Sequence, residues 1–450
     1  MAQRMVSRRG FLATAGLASA GVLGAPFVRS SHASGRLTLG LWDHWVPGAN
    51  DAMRQVVEEW AEAARVEVAI DFITSIGSKN TLTANAEARA RVGHDVMAHP
   101  TWQVSVHRRL LEPLDDIVAD IEATHGRYSE TASFLARFDG NWRGVPAPVG
   151  THTFPMVSRL DLMRQHAGVN LQEVFPPAVQ QRKKDLVEGW TYDAFLGHAE
   201  KLHRAERPFG NPISPAGDGQ NWLAPLFLAF GAVLVNARGE ISVDSDETRR
   251  ALEYLVRLAR FMPPDVHVWD DASNNDWLLS GRGACILNPP SVWAMARRDK
   301  PEIAAQLWHH DTPRGPNGRF RACLPYFWGV WEFARNKPAA RDFIRYMCAR
   351  DVTRRLVAGS AGYDLPLLPS FLDFEIWAET TPPRGTTYNY PTRGDETVVV
   401  AGYPAPAQIA AQIYNHGLLS QLVTRVTQGG EAIEKAVAWA KRELEGYVRA

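Results

Sequence analysis

Tryptophan is the chain's most suggestive residue: 15 occur in 450 residues, against 11 tyrosines. Several stand beside carboxylates, amides or histidines. Trp42-Asp43-His44-Trp45 is one such cluster, and Gly217-Asp218-Gly219-Gln220-Asn221-Trp222 is another. Trp102 follows Pro100-Thr101, Asn288 and Trp293 flank Pro289-Pro290, and Trp328 follows Pro325-Tyr326-Phe327. An indole is a flat apolar plate with a negative face, suited to stacking on the C–H face of a sugar ring. Fixed amides and carboxylates suit its rim of hydroxyls, and such groups are costly to bury unpaired, which gives selectivity. The candidate ligand-binding residues on these grounds are Trp42, Asp43, His44, Trp45, Trp102, Asp218, Asn221, Trp222, Asn288, Trp293 and Trp328. For each Trp the competing reading is packing inside the protein. For Asp43 and Asp218 it is a loop or capping role. Trp60, Trp190 and Trp439 are assigned to helix packing.

Other chemistries find less support. The chain has 14 histidines but no HExxH, no HxH and no carboxylate–histidine cluster at ligand spacing, so no metal site is expected. His309-His310-Asp311 are adjacent, and neighbours on an extended segment face opposite ways. No GxSxG elbow, GxGxxG or Walker motif occurs. No catalytic residue and no cofactor are assigned. An exported glycan hydrolase stays open as an alternative, because paired carboxylates signify only at a known separation.

The elements that must position these residues begin with a strand over 37–41, a loop over 42–50 and a helix with Met53, Val56, Val57, Trp60 and Ala64 on one face. Asn50 or Asp51 is placed to cap that helix. Val66, Val68, Ile70 and Phe72 alternate as a strand, a helix follows over 80–92, and 95–98 reads as a third strand. Strand–helix–strand–helix–strand with short links predicts a parallel α/β sheet, and the loops at 42–50 and 98–103 lie beyond its carboxyl ends, where ligands bind. Further along, Thr191 is an N-cap with Trp190 stapled onto Phe195, and Asp244 to Glu247 resembles a capping box. Pro338 suits the first turn of a helix carrying Phe343, Ile344 and Met347. The last helix buries Ile433, Val437, Ala440 and Leu444. No linker or repeat separates consecutive domains, as expected of lobes interleaved along the chain.

Residues 1–33 read as an export signal. Arg4, Arg8 and Arg9 precede a weakly apolar run, Ala13 to Gly24, that is too short to span a bilayer, which takes ~20 residues. Ser31-His32-Ala33 suits signal cleavage. Ser7-Arg8-Arg9-Gly10-Phe11-Leu12 matches the twin-arginine pattern, with Ala13 where Lys is frequent, so the Sec route stays open. The 49 basic and 49 acidic residues balance, which favours neither nucleic acid nor an anionic membrane as partner. Cys285, Cys323 and Cys348 show no disulfide framework. A Cys285–Cys323 bridge stays open beside three buried thiols.

In order, GHDVMAHPTW with Leu111-Glu112-Pro113-Leu114-Asp115-Asp116, Gly144-Val145-Pro146, GWTYDAFLGHAEKL, GRGACILNPPSVW and Trp328 to Ala349 resemble the family 1 extracellular solute-binding proteins, which include maltose-binding proteins. The resemblance covers essentially all the chain after the signal. It implies a periplasmic-binding-protein-like α/β fold of two interleaved lobes around a ligand cleft. Lobe 1 is expected over 34–146 and 313–365, and lobe 2 over 147–312 and 366–450. Gly362-Tyr363-Asp364 resembles the segment that returns to the cleft, adding Tyr363 and Asp364 to the candidates. The implied function is that of a periplasmic, monomeric, non-enzymatic receptor. It would capture a sugar or sugar-like solute and deliver it to the permease subunits of an ABC importer. A polyamine, organic acid or aromatic solute is the other possibility within that mode. His44, His99 and His152 near the expected cleft fit a sugar site less obviously.

Overall fold

The computed structural model describes residues 35–377 and 386–449. Residues 1–33, expected to be an export signal, lie outside them. The chain folds around two sheets. The larger holds β1 (Gly35–Trp42), β2 (Val66–Ile73), β3 (Val96–Pro100), β4 (Val145–Phe154), β8 (Phe320–Val330) and β9 (Thr397–Val399). The smaller joins β5 (Met156–Arg159), β6 (Cys285–Leu287) and β7 (Leu307–His310). In the larger sheet β1 is central to a parallel trio, with Leu39 opposite Ile70 on one side and Val96 on the other. The expected parallel sheet is therefore real but incomplete. Long β8 runs antiparallel to both β3 and β4, pairing Trp328 with Ala98 and with Val145. Its return direction depends on partners far away in sequence, so local patterning could not reveal it.

Helix α1 (Ala49–Ala64) buries Met53, Val56, Val57 and Trp60 on the expected face. Its cap differs from expectation. The N-cap is Gly48 at φ 88°, with no side-chain hydrogen bond, while Asn50 turns back so that its Oδ1 accepts from His44 N at 3.0 Å. Thr191 caps the helix Tyr192–Arg204 through Ala194 N at 3.1 Å, and Trp190 meets Phe195 edge-on at 6.0 Å. Ser245, inside the expected capping box, caps Asp246–Ala259 by accepting from Thr248 N. Asp244 instead pairs with Arg249 at 2.8 Å. Pro338 lies in the first turn of Lys337–Met347, as its missing N–H allows. Cys285, Cys323 and Cys348 are free and buried, which closes the bridge alternative in favour of three thiols. No helix among the described residues is long and apolar enough to cross a membrane.

The chain passes between the sheets more than once. At Pro155, β4 of the large sheet hands on to β5 of the small one, and residues 311–319 carry it back from β7 to β8. Residues after 365 first stay on the large-sheet side, where Leu367 O accepts from Ser129 N at 3.0 Å and Arg350 pairs with Asp373 at 2.6 Å. Farther on, Asn389 Nδ2 donates to His309 O on the small sheet at 2.8 Å.

The return crossover is held by buried charges. Asp311 accepts from Arg182 at 2.7 Å. Glu396 accepts from Thr312 N and Oγ1 at 2.8 and 2.9 Å, with Arg321 at 3.6 Å. Burial, reinforced by the Asp311 charge, pushes the Glu396 carboxyl up to about 7. The fold thus favours its protonated form. That contribution to stability is complete below the ordinary glutamate value and is lost as pH rises through about 7. Glu396→Gln is expected to shrink the fall in melting temperature between about pH 5 and pH 8. An unchanged slope in calorimetric melts of the two proteins would show that this carboxyl is not buried in the way described.

Candidate ligand-binding cleft

A cleft of about 470 Å³ separates the carboxyl ends of the parallel strands from residues beyond the small sheet. On the large-sheet side, β1 ends in Trp42, whose ring stacks on Tyr326 of β8 at 4.7 Å and 17°. Tyr363 closes on the same indole at 6.0 Å. Trp45, Asn80, Thr101 and Gln103 extend this wall. Asn80 Nδ2 donates to Tyr326 OH at 3.2 Å, fixing the phenol. Thr101, just past β3, has φ 38°, a left-handed conformation that costs energy in a β-branched residue. Its N–H donates to Pro325 O at 2.9 Å.

The opposite wall begins with the N-terminus of the helix Gly217–Ala229, which contributes Asp218 and Gln220. Gly219 between them lies against Ser214 O, where an added Cβ would come within 2.2 Å. Asp271 Oδ1 accepts from Asp218 N at 2.9 Å, placing a carboxylate at that helix N-terminus. Asn274 Nδ2 donates to Asp218 Oδ2 at 2.9 Å. A short relay, Asn275 Nδ2 to Ser291 Oγ (3.2 Å) and Ser291 Oγ to Asn288 Oδ1 (2.9 Å), orients two more amides. Tyr414, Asn415 and His416 complete the wall. Gln103 Nε2 donates across to Asn415 Oδ1 at 3.0 Å, so a hydrogen bond ties the two walls.

Burial, and then the Asp271 charge, lift the Asp218 carboxyl well above the usual range; burial lifts Asp271 as well. Four buried polar atoms on cleft-lining residues have no hydrogen-bond partner: Trp42 Nε1, Gln103 Oε1, Gln220 Oε1 and Asn275 Oδ1. Unpaired buried groups cost about 1–3 kcal/mol each. The arrangement suits reversible capture of a compact molecule with one apolar face and many polar atoms. Among the described residues no group of three or more His, Cys, Asp or Glu is placed to hold a metal.

Of the residues singled out from the sequence, the structure brings Trp42, Trp45, Asp218, Asn288 and Tyr363 to the cleft. It places the others behind its walls. Asp43 accepts from Asn50 Nδ2 at 2.7 Å, shaping the loop. His44 Nε2 lies 3.2 Å from Asp364 Oδ1, both buried behind Trp42. Trp102 is fully buried and donates to Ala401 O at 2.6 Å. Asn221 donates to Gly217 O at 2.9 Å inside its own helix. Trp293 stacks on Tyr388 at 4.0 Å and Trp328 packs against Phe343 at 5.6 Å. Of the histidines, His99 is fully buried between His107 and Trp331.

Trp222 donates to Pro212 O at 2.6 Å and packs on Phe209 at 5.8 Å, in a helix buried from Asp218 to Ala229. Polar neighbours made it look like a loop residue. They line the helix start, while the indole lies one turn deeper. Trp222→Ala is expected to cost roughly 3–5 kcal/mol of folding stability and to leave ligand affinity nearly unchanged. Urea unfolding beside a calorimetric titration separates the two effects, and a large affinity loss with intact stability would return Trp222 to the cleft.

Sequence reasoning missed Asn80, Gln103, Gln220, Asp271, Asn275, Tyr326 and Tyr414. Pro325-Tyr326-Phe327 and Asp270-Asp271 carried a weak signal, as an aromatic beside a proline and as an acidic pair. Gln220 lay inside the cluster over 217–222, and the other amides carried none.

A family model described as bacterial extracellular solute-binding protein matches residues 55–383. Comparison with curated proteins gives no match. Among solved structures, the fold is similar to maltose-bound MalE3 of T. maritima, with TM-score 0.71 and 17% identity over 91% of this chain and 99% of that one. It is also similar to a sugar transporter of Arthrobacter chlorophenolicus A6 with bound laminaribiose, with TM-score 0.72 and 15% identity over 92% and 98%. A third is an ABC transporter solute-binding protein of Thermotoga lettingae bound to α-D-tagatose, with TM-score 0.70 and 15% identity over 92% and 99%.

Proposed function

Because the chain belongs to the bacterial extracellular solute-binding protein family, we propose that it is the capture subunit of an ABC importer and that it binds a carbohydrate in the cleft between its lobes. The observation that carries the ligand class is the Trp42–Tyr326 stack facing a wall of amides and carboxylates. An aromatic plate takes the C–H face of a sugar, and fixed polar groups take its hydroxyls. A cleft of about 470 Å³ is of the size that encloses a small ligand. The structural relatives with maltose, laminaribiose and tagatose support the same class.

The lobes interleave at Pro155 and at 311–319, with residues 366–377 carried by the first lobe, and these crossovers are the hinge. Contacts to both walls exist only when the cleft is closed, so ligand shifts the population toward that state. Closed receptor then docks on the permease. Export by the twin-arginine route, on Arg8-Arg9, delivers the protein folded to the periplasm, where it acts as a monomer without catalysis. The paired Asp218 and Asp271 give the hydrolase alternative its one foothold, and recovery of cleaved rather than intact sugar after long incubation would favour it.

The test is a thermal-shift screen of sugars, polyols, amines and organic acids. Ligand at ~100 times its dissociation constant adds roughly 2.7 kcal/mol of stability. A shift with at least one carbohydrate is expected. Shifts with acids or aromatics and with no carbohydrate would overturn the ligand class and leave the receptor role standing.

A further inference from the structure

The cleft is unbalanced in charge and in hydrogen bonding. Asp218 and Asp271 both line it, and no Lys or Arg is among the described residues that do. Its one basic side chain is His416, at the exposed rim and stacked on Tyr447 at 5.3 Å. The partners of the two carboxylates are neutral. Asp271 accepts from a backbone N–H at a helix N-terminus, and Asp218 accepts from an amide. A helix N-terminus carries the equivalent of about half a positive charge, which does not neutralise two carboxylates.

The amides tell the same story independently. Gln103, Gln220 and Asn275 are at most 2% exposed. Each has its NH₂ group engaged, by Asn415, Ser420 and Ser291 respectively. The carbonyl oxygen of each is buried, and all three oxygens lack partners. Against these stands one unpaired indole N–H, on Trp42. Among the buried polar atoms of the cleft-lining residues, unpaired acceptors thus outnumber unpaired donors three to one.

We propose, resting on the receptor reading above, that the ligand carries a protonated amine seated against Asp218 and Asp271 beside its hydroxyls, which makes it an amino sugar or an aminated polyol. An ammonium supplies three donors and a full positive charge, and its hydrogen bonds to carboxylates are about twice as strong as neutral ones. The cation holds both carboxylates ionised, where burial alone opposes their charge. The aromatic wall of Trp42, Tyr326 and Tyr363 takes the ring face and adds its negative quadrupole. A free anion such as a sugar acid or sugar phosphate meets only repulsion here.

The test is isothermal titration of the mature protein with matched probes. Glucosamine, galactosamine, mannosamine and fully deacetylated chitobiose are each compared with the neutral parent sugar and the N-acetyl derivative. At least one amine is expected to bind roughly tenfold or more tightly than both its neutral counterparts. In Asp271→Asn, and separately in Asp218→Asn, that ratio is expected to collapse toward one. Asn keeps a carbonyl oxygen for the helix N–H, and melting curves confirm that each variant is folded. A neutral parent that binds as tightly as its amine, or a ratio that survives in both variants, overturns the inference and leaves the carbohydrate reading intact. Tight binding of putrescine with no response to any sugar, aminated or neutral, overturns the carbohydrate reading itself.

Discussion

Trp42→Ala is expected to weaken ligand binding by about 1–3 kcal/mol, roughly fivefold to 150-fold in dissociation constant. Trp42 ends β1 and is only 7% exposed. One face is stacked on Tyr326, and the His44 ring lies 4.4 Å away. Removing the indole takes away the plate on which a ring would lie and frees Tyr326 from its stack. The same change opens a cavity behind the wall and is expected to cost roughly 3–5 kcal/mol of stability. Trp42→Phe keeps a flat apolar face and most of the packing, so its affinity loss should be clearly smaller. Titration calorimetry on both variants, at a temperature where each is folded, makes the comparison. Equal affinity in wild type and Trp42→Ala would remove the aromatic plate from the binding account altogether.

Asp364→Ala is expected to destabilise the fold by roughly 2–5 kcal/mol, because it strands buried donors. Asp364 is 2% exposed, and its Oδ1 accepts from Gly150 N at 2.7 Å while lying 3.2 Å from His44 Nε2. The next residue, Leu365, donates to Gly150 O at 2.9 Å. Asp364 thus ties together the loop after β1, the crossover strand β4 and the segment that carries Tyr363 into the cleft. Gly150 cannot rearrange freely. It has φ 89°, and an added Cβ would come within 2.5 Å of Leu324 O. Asp364→Asn keeps an acceptor oxygen and should lose less than half as much. Urea unfolding monitored by tryptophan fluorescence gives the numbers, and an Asp364→Ala midpoint within error of wild type would dissolve this junction. Because Asp364 lies behind the cleft, any affinity loss in the folded variant would come through Trp42 and Tyr363.

The features legible in the sequence are those whose physics is local. The Thr191 cap, the Trp190 staple, the Pro338 start and the buried faces of α1 and of the last helix, where Val437, Ala440 and Leu444 are buried and Ile433 only partly so, each depend on residues within a turn or two. The first three strands were legible for the same reason, and with them the position of Trp42 at a strand end and of Trp45 just beyond it. Local rules failed where a polar residue had two uses. Asn50 looked like a cap and instead bonds back to His44 N. Asn221 and Trp222 looked like loop residues and belong to a buried helix.

The amino-acid sequence alone established the order of elements, the loop that brings tryptophan to the end of β1 and an ordered resemblance long enough to imply two lobes. Long-range packing settled which side of each wall a side chain occupies. Asp364 and His44, Trp102 and Trp328 all stand near the cleft in sequence terms, yet distant segments cover them. Asn275 and Tyr414 carry no motif, and they meet Gln220 and Asp271 only because three separate stretches of chain converge on one wall. Tryptophan clusters can thus mark where a cleft lies, because strand ends are local. The donors and acceptors that choose its ligand come from residues that become neighbours only on folding.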